Sequence, residues 1–161
     1  MQTYNDSSYL SAALESLVDQ SFSDFECIVV DDGSTDATPS IAKSLASRDP
    51  RFKYIWRRHE GSPGTARNLA VEYANGSILV FHDSDDIAMP HRLAGILDTF
   101  KNAPGVGVVY HDYIVFNHNN PTHEHRYFLN RYETPSGILY RDLYKVGGLH
   151  CTASAAVLTR H

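Results

Sequence analysis

Two apolar runs that end next to acidic residues constrain the fold of this chain most strongly. Phe25 to Val30 is a short, mainly apolar run that ends on Asp31 and Asp32, and the run Ile78 to Phe81 is followed closely by Asp83. A short run that is apolar on both faces is typical of a buried strand in a parallel sheet. We therefore expect two buried strands that carry carboxylates at their carboxyl ends.

Helical patterns alternate with these strands. Apolar residues at helical spacing predict a first helix over Ser8 to Gln20, behind the capping candidates Asp6 and Ser7. The other predicted elements are a helix with the stripe Ile41 to Ala46, a strand over 53–57, a helix over 65–74, a helix opened by Met89-Pro90, a strand over 106–116, a short helix over 137–145 and a strand over 152–159. This alternation predicts one α/β domain with an open, mostly parallel sheet flanked by helices on both faces.

Two segments depart from a regular alternation. Met1 to Tyr4 is too short to supply the strand that should precede the first helix, so we expect an incomplete sheet. An uncovered strand edge favours marginal stability or self-association through that edge, unless another segment fills the gap. Residues 117–126 have no apolar period and predict a loop. Within it His118, His123 and His125 have irregular spacing, which favours a solvated loop over a metal site.

The composition excludes several classes of protein. The 161 residues carry a formal net charge of -5, which makes nucleic acid an unsuitable partner. No apolar stretch approaches the roughly 20 residues that a membrane-spanning helix needs, and no signal peptide is visible. The two cysteines, Cys27 and Cys151, lie far apart and favour reduced thiols. We expect a cytoplasmic protein, with peripheral association at the inner face of the membrane as a further option.

Four acidic or hydroxyl side chains follow the strand 78–81. The carboxylates of Asp83, Asp85 and Asp86 would lie close together beside the Ser84 hydroxyl, and such a group is stabilised by a cation. Magnesium and manganese prefer oxygen ligands and commonly use one or two carboxylates together with substrate phosphates. Asp83, Asp85 and Asp86 are therefore candidate metal ligands. A polar turn with helix-capping acids is the alternative.

A second acidic segment, Asp31 to Asp36, follows the strand 25–30. Ligands of open α/β sheets bind at the carboxyl ends of strands, so one of the adjacent Asp31 and Asp32 could accept a hydrogen bond from a ligand N–H, such as that of uracil. Tyr4 could stack on a base. The alternatives are a capped turn for the acids and simple packing for the tyrosine.

The ordered motifs resemble those of glycosyltransferase family 2. The resemblance runs from Tyr4 to about Leu93, and the segments that carry it are Tyr4-Asn5, Tyr9-Leu10, Gln20 to Phe22, Val29 to Asp36, Gly64 to Asn68, Ala74 to Gly76 and Asp83 to Asp86. It implies a GT-A (Rossmann-like) fold that binds a nucleotide-diphospho-sugar, a UDP-sugar being favoured, and transfers the sugar with inversion to an acceptor hydroxyl. Residues 1–93 would form the nucleotide-sugar-binding half, and 94–161 the start of the acceptor half.

The resemblance also assigns roles to residues of this chain. It implies a nucleotide-sugar site made of Tyr4, Asn5, Asp31, Asp32, Arg67, Asn68, Asp83, Ser84 and Asp85. It implies a Mn or Mg ion on the diphosphate, held by Asp83, Asp85 and Asp86. The acceptor would be a glycan or a lipid-linked acceptor, in the synthesis of a cell-surface polysaccharide or glycan.

The family's general base has no counterpart in this sequence. In the family an Asp follows the last segment present here, so that base would lie beyond His161, and the domain would be truncated at both ends. His111, Asp112 and Asp142 are the nearest substitutes. Two alternatives stay open: a binding module that holds the nucleotide sugar without turnover, and a phosphatase-like hydrolase with Asp83 as nucleophile and Asp85 as acid.

Overall fold

A computed structural model of the chain describes residues 1–111, 114–117, 120–126 and 155–158. In chain order the elements are β1 (Gln2–Thr3), α1 (Leu10–Val18), β2 (Cys27–Asp31), α2 (Thr38–Arg48), β3 (Phe52–Trp56), α3 (Pro63–Glu72), β4 (Ile78–Val80), α4 (Arg92–Asn102), β5 (Val108–Tyr110), β6 (Ile114–Asn117), β7 (Asn120–Arg126) and β8 (Ala155–Leu158).

The first sheet is wholly parallel and has β2 at its centre, between β1 and β3. Cys27 lies opposite Phe52 at one end of the β2–β3 register, and Asp31 lies opposite Trp56 at the other. All five residues of β2 are buried. The prediction of a buried parallel strand that ends in acidic residues is confirmed.

Helices cover both faces of β2. Cys27 and Val29 pack into a cluster with apolar residues of α1 and α2, whereas Ile28 and Val30 pack with Ala66 of α3. Successive side chains of a strand point to opposite faces, so the continuous apolar run of β2 serves two layers at once. The α/β class with helices on both faces is confirmed.

The amino terminus forms a strand, contrary to the expectation from sequence. Gln2 and Thr3 of β1 pair in parallel with Val30 and Asp31, and the N–H of Asp32 donates to the Thr3 carbonyl at 3.0 Å. Two residues are too few to show a strand pattern, and the neighbouring edge of β2 supplies the hydrogen bonds that define it. β1 positions the turn that carries Tyr4 and Asn5.

A second sheet holds β8 between β4 and β5. The strand predicted over 152–159 is present as Ala155–Leu158, and it runs antiparallel to both neighbours. Its direction was not visible in the sequence, because an apolar run has the same pattern in either orientation.

The segment from residue 106 to 126 differs from the prediction. The single strand expected over 106–116 is divided into β5 and β6, and the expected loop over 117–126 contains β7, which pairs antiparallel with β6. Backbone hydrogen bonds can form a hairpin from a polar segment that has no apolar period. The helix predicted over 137–145 lies outside the described residues.

A cavity of about 590 Å³ lies between β2 and β4. Its lining includes Cys27 and Ile28 of β2, Ile78 and Val80 of β4, and residues of α3 and α4. Apolar surface is thus accessible between these strands. Self-association through this region stays a prediction.

Candidate functional site

The turns that follow β1, β2 and β4 are joined by the side chain of Asp6. Its Oδ2 accepts hydrogen bonds from the Thr3 hydroxyl at 2.9 Å, from the Tyr4 N–H at 3.1 Å and from the Ser84 hydroxyl. Asp6 was predicted to cap α1, but α1 begins at Leu10 and the Asp6 side chain makes no cap bond to it. Asp6 instead connects the turn after β1 with the acidic segment after β4.

Asn5 links the turn after β1 to the loop after β2. Its backbone N–H donates to the Ser34 hydroxyl at 2.9 Å, and its Oδ1 accepts from the Thr35 N–H at 2.8 Å. Asn5 adopts a positive φ of 54°, a conformation that asparagine tolerates better than most residues. The side-chain oxygen of Asn5 therefore connects the turn after β1 with the loop after β2. A ligand contact from Asn5 stays a prediction.

Asp31 is fully buried beneath the site. One carboxylate oxygen accepts from the Ser34 N–H at 2.8 Å and the other from the Tyr54 hydroxyl at 2.7 Å. Burial raises the pKa of Tyr54, and the hydrogen bond to Asp31 and the charge of Asp31 raise it further. With no exposed surface and both oxygens bonded, Asp31 positions the loop after β2, and its expected ligand contact stays a prediction.

Asp32 is the acid of this pair that borders the loop after β3. The Arg57 Nε lies 3.1 Å from its Oδ1, and the Gly61 N–H donates to its Oδ2 at 3.2 Å. Only 5% of the Asp32 side chain and 12% of the Arg57 side chain are exposed. An ion pair at this depth compensates a carboxylate that would otherwise be costly to bury.

The Tyr4 ring stacks on His59, which also contacts Asp32. The ring centroids are 4.1 Å apart and the planes differ by 17°, while Tyr4 stays 41% exposed. The His59 Nδ1 lies 2.9 Å from the Asp32 Oδ2. The sequence predicted Tyr4 and Asp32 for one subsite, and in the structure both contact His59, of which the sequence gave no sign. Their shared role in base binding stays a prediction.

The acidic segment after β4 meets α3. Arg67 of α3 donates a 2.7 Å hydrogen bond from its guanidinium to the Asp83 Oδ1. Asn68, the next residue of α3, is exposed, as is Asp85. The sequence-predicted Arg67 and Asp83 are therefore direct partners, and both side chains are about one quarter exposed at the surface of the site.

The acidic segment concentrates negative charge. Partial burial raises the pKa of Asp86, and the charges of Asp85 and Asp83 raise it further. An all-oxygen donor set of this kind suits Mg or Mn. Among the described residues, however, no three His, Cys, Asp or Glu side chains lie together as a metal site. The donor set fits an ion held by one or two carboxylates, with the remaining ligands supplied by the diphosphate and water.

A neutral histidine and an arginine support this segment from inside. Burial and, to a smaller extent, the neighbouring charge of Arg92 lower the pKa of His82 to about 3. Arg92 donates to the Phe81 carbonyl at 2.8 Å and to the His111 Nε2 at 2.8 Å. These bonds fix α4 against the end of β4. The lone pair of the His111 Nε2 is engaged, so this nitrogen is not free to act as a base, while Asp112 and Asp142 lie outside the described residues.

Comparison with solved structures defines the class of protein. The chain resembles S. aureus TarS in complex with UDP-GlcNAc, with a TM-score of 0.60 and 30% identity over 71% of this chain and 32% of that one. It also resembles the mannosyltransferase PcManGT from Pyrobaculum calidifontis in complex with GDP-Man and Mn²⁺, with a TM-score of 0.62 and 28% identity over 68% and 33%. The fold is that of the GT-A glycosyltransferases.

Sequence comparison gives the family. The model of glycosyl transferase family 2 matches residues 1–161. The Escherichia coli enzyme WfgD, named a UDP-Glc:alpha-D-GlcNAc-diphosphoundecaprenol beta-1,3-glucosyltransferase, is 31% identical over 94% of this chain and 56% of its own length. The chain belongs to glycosyl transferase family 2, and it spans between about a third and just over half of the relatives described here.

No helix in the described part of the chain combines the length and the apolar character that crossing a bilayer needs.

Proposed function

We propose that this chain binds a nucleotide-diphospho-sugar, a UDP-sugar being favoured, at the ends of β1, β2 and β4 for transfer of the sugar to an acceptor hydroxyl. The contact of Asp6 with both Tyr4 and Ser84 carries the proposal, because it joins the Tyr4–Asp32 region to the acidic segment. A nucleotide sugar has a base at one end and a charged diphosphate in its middle. The joined site offers a matching partner for each.

The base subsite consists of Tyr4 and Asp32. The exposed ring of Tyr4 offers a face for stacking, and base–aromatic stacking contributes about 1–3 kcal/mol. The Asp32 carboxylate, held by Arg57 on its Oδ1, can accept a hydrogen bond from a base N–H on its Oδ2. Uracil has such an N–H in its ring, as guanine does, so the contact fits a UDP-sugar. The UDP-GlcNAc complex of TarS supports this choice.

The diphosphate subsite consists of Arg67 and the acidic segment. Arg67 supplies positive charge beside Asp83, and Asn68 can donate from the same helix. Asp83, Asp85 and Asp86 are the candidate ligands of Mg or Mn, and the Mn²⁺ in the PcManGT complex supports a divalent cation. Such an ion would neutralise charge on the departing nucleoside diphosphate.

In an inverting transfer, the acceptor hydroxyl attacks the anomeric carbon on the face opposite the leaving group, and a base must deprotonate that hydroxyl as it attacks. No catalytic base is assigned within the described residues. A chain that binds the donor without turnover is therefore the second candidate. The engagement of His111 by Arg92 favours it, because His111 was the nearest described substitute. Because the chain belongs to glycosyl transferase family 2, the hypothesis of a phosphatase-like hydrolase is not retained.

The acceptor and cellular role are proposed from the relatives. The printed name of WfgD describes a diphosphoundecaprenol-linked acceptor, which supports a glycan or lipid-linked acceptor and a role in surface polysaccharide synthesis for this chain. Such an acceptor supports peripheral association with the inner face of the membrane.

Calorimetry with UDP and MnCl₂ tests donor binding. We expect binding that EDTA weakens and that Asp85→Ala weakens by about tenfold or more, because a carboxylate ligand is lost. Asp98→Ala, an exposed acid on α4, is the matched control and should bind as the wild type does. No heat at millimolar UDP with manganese would refute the proposal. Release of UDP from a donor in the presence of acceptors then separates an enzyme from a binding module.

A further inference from the structure

His59 makes the same two contacts that a nucleobase would make in the proposed subsite. Its ring stacks on Tyr4 with centroids 4.1 Å apart and planes 17° from parallel. Its Nδ1 lies 2.9 Å from the Asp32 Oδ2 and 2.9 Å from the Asp32 backbone oxygen. Because both neighbours are oxygen acceptors, Nδ1 carries the proton and donates it.

We propose that His59 occupies the base subsite of the free protein and that a nucleotide displaces its ring on binding. The inference rests on the proposed function, since it takes the Tyr4–Asp32 region as the base subsite. A uracil ring and the imidazole are both planar and both present a ring N–H. One face of Tyr4 has room for one of them.

The loop around His59 permits this exchange. The His59 side chain is 44% exposed, so its ring can move into solvent without opening the core. Gly61, two residues later, adopts a positive φ of 68°, a conformation that costs glycine little. This loop packs closely on Gly33 through its backbone, because a Cβ on Gly33 would lie 2.8 Å from the backbone nitrogen of His59. The ring can therefore leave while the backbone stays.

Displacement leaves Asp32 compensated. The Arg57 Nε and the Gly61 N–H remain on the carboxylate when the imidazole leaves, and the His59 contacts with Oδ2 and with the Asp32 backbone oxygen are given up. An incoming base N–H restores the contact with Oδ2. Before and after the exchange, one ring stacks on Tyr4 and one ring N–H donates to Asp32. In the free protein this face of Tyr4 stays covered until a ligand with a planar ring and a ring N–H binds.

A self-occupied subsite lowers the apparent affinity by the fraction of molecules in which it is open. Removal of the ring should therefore tighten binding. We expect His59→Ala to bind UDP about 3- to 30-fold more tightly than the wild type, as estimated from the loss of one stacked, hydrogen-bonded competitor. His59→Phe, which keeps a ring but has no N–H, should bind with intermediate affinity.

Titration calorimetry of UDP with manganese measures these affinities, and His91→Ala is the matched control because His91 is exposed and bonds to Ser21 instead. In the Tyr4→Ala background the gain from His59→Ala should vanish. By NMR, the His59 ring protons of the wild type should move away from their stacked position as UDP is added.

Each result decides the matter. Weaker or unchanged UDP binding by His59→Ala, in a protein whose wild type binds UDP, overturns the exchange and makes His59 a wall of the subsite or a bystander. A base that stacks on the opposite face of Tyr4 gives this result. If neither the wild type nor His59→Ala binds UDP at millimolar concentration, the proposed function itself fails. Circular dichroism of each variant confirms that it is folded.

Discussion

The guanidinium of Arg67 donates a 2.7 Å hydrogen bond to the carboxylate of Asp83, which ties α3 to the acidic segment after β4. Each group partly neutralises the other while both stay accessible at the site. A diphosphate with its cation would offer new partners to both: phosphate oxygens for Arg67 and the metal for Asp83. The pair is therefore a preorganised element of the proposed diphosphate subsite.

Arg67→Ala should weaken the binding of UDP with manganese by about 10- to 100-fold, since hydrogen bonds to charged groups contribute about 1.5–3 kcal/mol. Uridine, which has no diphosphate, should bind the variant and the wild type alike. Arg48→Ala, an exposed arginine on α2, is the control. Equal loss of UDP and uridine binding would contradict a role at the diphosphate.

The Asp6–Ser84 contact should couple the two halves of the site energetically. Removal of either side chain leaves a polar partner of the other unsatisfied, so Asp6→Ala and Ser84→Ala should each lower the free energy of unfolding by about 1–3 kcal/mol. In a double-mutant cycle by urea denaturation, the double variant should lose less than the sum of the singles. Strict additivity would show that the contact carries no coupling. Asp19→Ala, on an exposed acid just after α1, is the control.

Tyr54→Phe should destabilise the protein by about 1–3 kcal/mol, because it removes a donor from the fully buried Asp31. Tyr73→Phe, on an exposed tyrosine, should have little effect.

The same pair predicts a pH dependence. The pKa of Tyr54 is raised on folding, so the native state holds its proton more tightly than the unfolded chain does. Its stabilisation is complete below the ordinary pKa of about 10 and is lost as the pH rises above it. The wild type should lose its stability advantage over Tyr54→Phe between about pH 10 and pH 12 in urea titrations. A constant difference would contradict the raised pKa.

Two glycines provide a matched test of backbone conformation. Gly33 has a φ of 78° and packs against the His59 backbone, so Gly33→Ala should destabilise the fold by about 1–2 kcal/mol or more. Gly95 lies within α4 with open space around it, and Gly95→Ala should stabilise by about 0.5–1 kcal/mol. Thermal melts of the two variants should therefore shift in opposite directions. A shift in the same direction would show that the turn at Gly33 relaxes.

The spacing of apolar residues and the positions of turn and capping residues determined the order of helices and strands in this protein. The apolar run of β2 and the amphipathic stripe of α1 predict their elements, because they reflect local backbone geometry that neighbouring residues set together. The same logic places acids at strand ends. It missed β1 and β7, because a two-residue strand and a polar hairpin owe their existence to partners elsewhere in the chain.

The tertiary structure alone decided which side chains meet. Asp31 and Asp32 are identical neighbours in sequence, yet Asp31 bonds to Tyr54 in the interior and Asp32 to Arg57 beside the site. Likewise, nothing local brings His59 onto Tyr4. Strand packing determines these contacts, because it sets the face of the sheet on which each side chain lies and the loop that it reaches.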